Sequence, residues 1–342
     1  MSAPTASDRA HTGHDVAAWP ITFVDVIAAR ERLTRYLRPT PLRRYAGLES
    51  VVGHGIELFV KHENHQPTNS FKVRNGLSLM TALSAEERRR GVVAASTGNH
   101  GQGIAYGGAL LGAGVTICVP AANNPEKNAA MRAFGASVVE EGQDYDEAVQ
   151  VMMRIAREEG RVIAHSTNDP RIIAGAGTMT LEILEEVRGA DLDAMIIALG
   201  GGSQAVGALT VARELAPNME VYAVGAVGAP AQHDSWHAGE RLTTPSVSTF
   251  AEGVATRATY DLTYEALRAG LADFLLVTEQ EIAAAVRLVV GVTHQLVEGA
   301  GAMGLAAAIK LGERLAGKRV AVIFCGGNMD TTMLRRILAN EI

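Results

Sequence analysis

Four times along this chain a strand-like apolar run stops in a polar or glycine-bearing turn. Gly91 to Ser96 runs into Ser96 to Gly103, Val162 to His165 into Ser166 to Asp169, Ala194 to Leu199 into Gly200 to Gln204, and Arg319 to Phe324 into Cys325 to Asn328. Strands that alternate with helix-like segments at this spacing form parallel sheets with crossover helices. Such open sheets bind ligands in the crevice outside the carboxyl ends of their strands. The pattern predicts an α/β protein in which all four turns converge on one crevice.

Two of the turns suit anions. Gly200-Gly201-Gly202-Ser203-Gln204 lies between a fully apolar strand and a helix reaching Leu215, an arrangement that cradles phosphate with backbone amides. The same run is also compatible with a helix packed unusually close to the sheet. Ser96-Thr97-Gly98-Asn99-His100 presents backbone N–H groups at another helix start, or is simply a polar loop with an N-cap. The phosphate ligand can be narrowed. There is no Gly-Lys-Ser or Gly-Lys-Thr for a nucleoside triphosphate, and the strand Val221 to Val224 ends in Gly225 where a dinucleotide fold needs an acid. A single phosphate on a compact cofactor fits better.

Only five of the 31 basic residues are lysines: Lys61, Lys72, Lys127, Lys310 and Lys318. Lys72 follows a polar turn (His62 to Ser70), sits between Phe71 and Val73 with Arg74 nearby, and opens a helix-like run through Leu77, Leu79, Met80 and Leu83. An amine in a partly apolar pocket has a lowered pKa and becomes a carbonyl-reactive nucleophile. Taken alone, the stretch also reads as a solvated lysine at a helix start.

Composition removes several classes. A net charge of -6 and a pI near 6.0, with no basic run longer than Arg88-Arg89-Arg90, argue against nucleic acid. Cys118 and Cys325 lie in apolar strands, as expected of a reducing, cytoplasmic compartment without a disulfide framework. Residues 1–18 read as a loose polar arm rather than a signal peptide, and the longest apolar stretch, Ile282 to Val292, is broken by Arg287 and too short for a membrane span. His62 and His65 have no partner pair for a metal, no Gly-x-Ser-x-Gly elbow surrounds Ser203, and Cys325 at a strand end is as compatible with an inert thiol as with a nucleophile.

Between these landmarks the periodicity predicts helices over 22–38, 124–134, 145–159 and 261–269, one through Val187 opening at Gly175, and one from Thr278 with a Glu281 capping box. Residues 226–262 read as loop.

Ser70-Phe71-Lys72-Val73-Arg74-Asn75-Gly76, Ser96-Thr-Gly-Asn-His-Gly-Gln, Gly200-Gly-Gly-Ser-Gln and Cys325-Gly-Gly-Asn together resemble the serine/threonine dehydratase family, fold-type II pyridoxal-phosphate enzymes related to tryptophan synthase β. The likeness runs in order over about residues 22–335. It implies two parallel-sheet αβ domains: a large cofactor-binding one of residues 19–83 plus 168–342 and a small substrate-gripping one of residues 84–167. By the resemblance, Lys72 is the lysine that carries pyridoxal 5'-phosphate, with Phe71 beside the ring and Asn99 on its 3'-oxygen. Gly200, Gly201, Gly202, Ser203 and Gln204 form the phosphate cup, and Cys325 stands by the pyridine nitrogen. Ser96, Thr97, Gly98, Asn99 and His100 grip the substrate carboxylate.

The implied activity is elimination of water from a β-hydroxy amino acid (threonine, serine, hydroxyaspartate or phenylserine) to a 2-oxo acid and ammonia, by a cytoplasmic homodimer. Rival readings are an amino acid racemase on the same scaffold, or a silent amino-acid- or cofactor-binding protein. There are departures: Asn75 replaces a usual glycine, Thr68-Asn69 a usual Thr-Gly, and Thr97 the serine that acts as second base in serine racemases. Gly225, Ala229 and Ala231 stand where some members place a metal-binding carboxylate, so no metal is expected. The side-chain pocket is expected to draw on His165 to Thr167 and Gly228 to Trp236.

Overall fold

The computed structural model describes residues 19–187 and 192–342; the expected arm, residues 1–18, lies outside the described residues. Its strands are β1 (Leu42–Arg44), β2 (Glu57–Lys61), β3 (Val92–Ala95), β4 (Val115–Val119), β5 (Ser137–Glu140), β6 (Val162–Ile163), β7 (Ala194–Ala198), β8 (Glu220–Ala226), β9 (Asp273–Val277) and β10 (Arg319–Ile323). Its helices are α1 (Phe23–Leu33), α2 (Ala46–Val52), α3 (Lys72–Ala82), α4 (Ala85–Arg90), α5 (Asn99–Leu111), α6 (Pro125–Ala133), α7 (Tyr145–Glu159), α8 (Pro170–Glu186), α9 (Ser203–Leu215), α10 (Ala231–Ala238), α11 (Tyr264–Gly270), α12 (Glu279–Thr293), α13 (Gly299–Leu311) and α14 (Thr331–Leu338).

The strands form two sheets. One has the order β1-β2-β10-β7-β8-β9 and is parallel except for the antiparallel β1–β2 edge; the other, β5-β4-β3-β6, is parallel throughout. Helices cover both faces of a parallel sheet, which is why central strands such as Val92–Ala95 and Val115–Val119 are buried at every position. Leu79 and Met80 of α3, with Leu83 just after it, belong to the core beneath the four-stranded sheet, while Phe71, just before it, belongs to the core of the larger one. The Lys72 helix therefore bridges the two.

Glycine brings α3 against α5 backbone to backbone. A Cβ on Gly76 would stand 2.3 Å from the Gly103 carbonyl oxygen, and one on Gly103 would stand 2.4 Å from that of Lys72. Side chains at either point would push Lys72 away from the turn that opens α5.

Several boundaries differ from the sequence reading. The first helix stops at Leu33, well short of Pro39. Helix α8 begins at Pro170 rather than Gly175, because the Asp169 carboxylate caps the Arg171 amide and proline is pre-set for a first helical position. Residues 226–262 contain α10. Strand β1 and helices α2 and α4 are too short to announce themselves by apolar periodicity, and the strongly amphipathic α14 is an element the sequence reading lacks. The capping box at Thr278 and Glu281 forms as expected. No helix among the described residues is long and apolar enough to cross a membrane, and no group of three His, Cys, Asp or Glu among them is placed to hold a metal.

Candidate active site

The four turns open on one crevice of about 1320 Å³, with Phe71 and Lys72 on its wall beside Ser96 to His100, Gly200 to Gln204 and Cys325. The lysine, the residues expected around the cofactor and those expected at the substrate carboxylate all line this cavity.

Lys72 is the most informative of them. Lys61, Lys127, Lys310 and Lys318 each pair with a carboxylate: Glu182, Glu252, Glu281 and Glu220 respectively. Lys72 has no such pair among the described residues. Burial pushes its pKa down from 10.5 to about 8, with Cys325 and Glu298 opposing the shift. At pH 7 about a tenth of such an amine is neutral, against roughly one part in three thousand for an ordinary lysine. Its Nζ lies 4.9 Å from the centre of the Phe71 ring.

The backbone around Lys72 is stitched to the end of β10. The Phe71 amide donates to the Cys325 carbonyl at 3.0 Å, the Gly327 amide to that of Asn69 at 2.8 Å, and Ser70 bridges Gly326. Burial raises the Cys325 thiol far above its ordinary range, so it stays neutral. Behind Lys72, the Arg74 guanidinium is fully buried and bidentate to both Glu63 (2.7 and 2.8 Å) and Glu182 (2.7 and 2.7 Å). Lys61 completes the cluster, donating to Glu182 at 2.8 Å and to the Thr40 carbonyl at 2.7 Å. Its ammonium is thereby held out of the crevice.

The glycine run forms a cradle. Thr263 donates to the Gly201 carbonyl at 2.8 Å and Gln232 to that of Gly200 at 3.0 Å, both tying the loop through its acceptors. Backbone N–H groups of residues 200–205 have no backbone or side-chain acceptor among the described residues, and the buried Gln204 side-chain nitrogen is likewise unpartnered. A Cβ on Gly201 would fall 1.9 Å from Thr167 Oγ1, and Gly202 has φ +95. Donors without acceptors at the start of α9 fit a phosphate group.

The Ser96 turn differs in one respect from a simple row of free amides. Ser96 Oγ accepts from the Gly98 and Gly101 amides at 3.2 and 2.9 Å, so those two are already satisfied. His100 donates through Nε2 to the Ala164 carbonyl at 2.9 Å, and burial holds its pKa at about 3. Asn99 donates to Glu298 Oε1 at 2.7 Å and accepts from Asn328 Nδ2 at 2.7 Å, which leaves one N–H on its amide.

Glu298 escaped the sequence reading as a site residue. It precedes the small-residue helix α13, and burial raises its pKa to about 7, opposed by Lys127 and the Asn99 hydrogen bond. The available signal was a lone acid opening an otherwise apolar helix. The expected contribution of Gly228 to Trp236 to the pocket is also corrected. Gly228 packs so closely on Ser248 that a Cβ would meet its carbonyl at 1.8 Å, and residues of the 243–260 segment, among them Phe250, Arg257 and Tyr260, form that wall instead. Ser166 and Thr167 line the crevice as expected.

Comparison with known proteins agrees with this chemistry. The chain is 36% identical over 319 residues to L-threonine ammonia-lyase of Thermotoga maritima, covering 93% of this chain and 78% of that one. It is 31% identical over 320 residues to L-threo-3-hydroxyaspartate ammonia-lyase of Saccharomyces cerevisiae, covering 94% and 97%. Its fold matches processed threonine deaminase isoform 2 of Solanum lycopersicum with a TM-score of 0.89 at 30% identity, over 97% of this chain and 91% of that one. The family model for pyridoxal-phosphate dependent enzymes spans residues 33–326, and with it Lys72, the glycine run and Cys325: the chain belongs to the pyridoxal-phosphate dependent enzymes.

Proposed function

We propose that this protein is a lyase that removes water from a β-hydroxy amino acid and releases a 2-oxo acid and ammonia. The observation that carries the reading is Lys72: buried, without a carboxylate partner and with a depressed pKa, beside a cradle of unsatisfied donors. Gly200 to Gln204 would hold the cofactor phosphate, Phe71 would flank the ring, Asn99 would spend its remaining N–H on the ring oxygen, and Cys325 would stand as a neutral partner at the pyridine nitrogen. Pyridoxal 5'-phosphate, when bound, supplies the electron sink for the bond broken at the substrate α-carbon. Thr97, Asn99 and His100 amides at the start of α5 bind the substrate carboxylate. Lys72 Nζ takes the α-proton; the β-hydroxyl then leaves as water, and hydrolysis of the resulting enamine consumes one water and releases ammonia.

Two domains, residues 19–83 plus 168–342 and residues 84–167, would close on the substrate. Support comes from contacts across the crevice: Glu126 with Thr331, Asn99 with Glu298, Lys127 with Glu252 and Asp146 with Arg257. Unpaired buried Cys118 and Cys325 support a cytoplasmic setting. Exposed Val51 on α2 and Leu338 on α14, helices that both pack on α12, support a homodimer, to be checked by light scattering.

The test is the purified holoenzyme with L-threonine and L-serine. Equimolar 2-oxo acid and ammonia are expected, Lys72→Ala should give neither, and borohydride reduction with mass mapping should place the cofactor on Lys72. Inversion of the amino acid without ammonia release, or cofactor fixed to Lys61 or Lys127, overturns the reading.

A further inference from the structure

The walls of the crevice bear on which side chain the substrate carries. Tyr145, in the first turn of α7, reaches the Ala95 carbonyl with its hydroxyl at 3.5 Å, one residue before the Ser96 turn. Tyr260 enters from the 243–260 segment opposite, edge-on to His165 with ring centres 5.9 Å apart and planes at 81°. The phenols are near enough for Tyr145 to add to the rise in the Tyr260 pKa, which burial dominates. Tyr145 and Tyr260 line the same crevice as the reactive amine of Lys72.

Charge on the crevice wall is arranged unlike that around the α-carboxylate and phosphate positions, each of which faces a helix N-terminus. The cations here are Lys72, Lys127 and Arg257. Lys72 is committed to the reaction, Lys127 is paired with Glu252, and Arg257 with Asp146. Asp144 and Asp330 add further negative charge, spent on capping α7 and α14. A second substrate carboxylate entering this corner would lose water, meet no free cation and face like charge. An alkyl or aryl group would instead pack on two phenol rings, and a cavity of about 1320 Å³ leaves it room beside a compact cofactor.

We propose that Tyr145 and Tyr260 wall the subsite for the β-substituent, and that the substrates are β-hydroxy amino acids with uncharged side chains, not 3-hydroxyaspartate. This rests on the elimination proposed above. Asp146 is the residue that keeps the subsite from accepting an acid, because it holds the Arg257 guanidinium.

The experiment compares kcat/KM of the holoenzyme for L-threonine, threo-3-phenylserine, L-serine and threo-3-hydroxyaspartate. Hydroxyaspartate should be poorer than threonine by about tenfold or more, the scale of one charge-assisted hydrogen bond. Asp146→Asn should shift that ratio toward hydroxyaspartate by about tenfold, by freeing Arg257. Tyr260→Ala should raise KM for phenylserine by a larger factor than KM for serine, which has no β-substituent to touch the wall. Wild-type enzyme that takes hydroxyaspartate as well as threonine, or ratios unmoved by both variants, overturns the proposal. If no β-hydroxy amino acid releases ammonia, the elimination reading fails, and calorimetric binding of L-2-aminobutyrate against L-aspartate still decides the side-chain claim: tighter aminobutyrate upholds it, and equal or tighter aspartate overturns it.

Discussion

The side-chain amide of Asn99 donates to the carboxylate of Glu298 at 2.7 Å, joining the turn that opens α5 to the start of α13. A carboxyl group here has a raised pKa, about 7 against an ordinary 4.5, because burial penalises its charged form.

The sign of the consequence follows from linkage. A pKa raised in the folded state means that stability is fully present below about pH 4.5 and is lost as pH rises through about 7. The melting temperature of the wild type should fall between pH 5 and 8 relative to Glu298→Gln, whose amide does not titrate. Parallel melting curves for the two proteins would show that Glu298 is already ionised at pH 5.

Removing one member of the buried cluster should cost more than any exposed pair. Arg74→Met leaves Glu63 buried without its bidentate partner, and a loss of about 3–5 kcal/mol in denaturant unfolding is expected. Arg44→Met, whose partners Glu49 and Glu57 lie nearer the surface, should lose at most about 1 kcal/mol. Equal losses would mean that the cluster is not specially coupled.

Cys325→Ser should keep most of the activity, since a hydroxyl replaces a thiol that burial already holds neutral. Cys325→Asp should protonate the pyridine nitrogen and divert the reaction toward side products, read as a rise in non-eliminating turnover. A serine variant as inactive as Lys72→Ala, with its fold intact by circular dichroism, would make the thiol a chemical participant.

Gly201→Ala should weaken cofactor binding, because the new methyl group would overlap Thr167 Oγ1 at 1.9 Å and push the cradle out of shape. The measurement is the dissociation constant for pyridoxal 5'-phosphate by absorbance titration. Adding Thr167→Ala removes the overlapping oxygen and should recover part of the affinity; no recovery would point to a cause other than this contact.

Alternating apolar strands and helices were enough to announce a parallel α/β fold, and the residue types in its four turns were enough to bring Lys72, the glycine run and the Cys325 turn to one crevice, because backbone conformation at a strand end is a local property of a few adjacent residues. The sequence also counted the lysines. It did not say which of them was unpaired among the described residues: Lys61 and Lys72 look alike in one dimension, and only the tertiary fold brings Glu182 of α8 within 2.8 Å of Lys61. Glu298 lies 199 residues from Asn99, and Tyr260 comes from a segment that read as featureless loop, so neither role had a local signature. Tertiary structure decided these because pairing and burial set the charge state of a side chain, and both are made by residues distant in the chain.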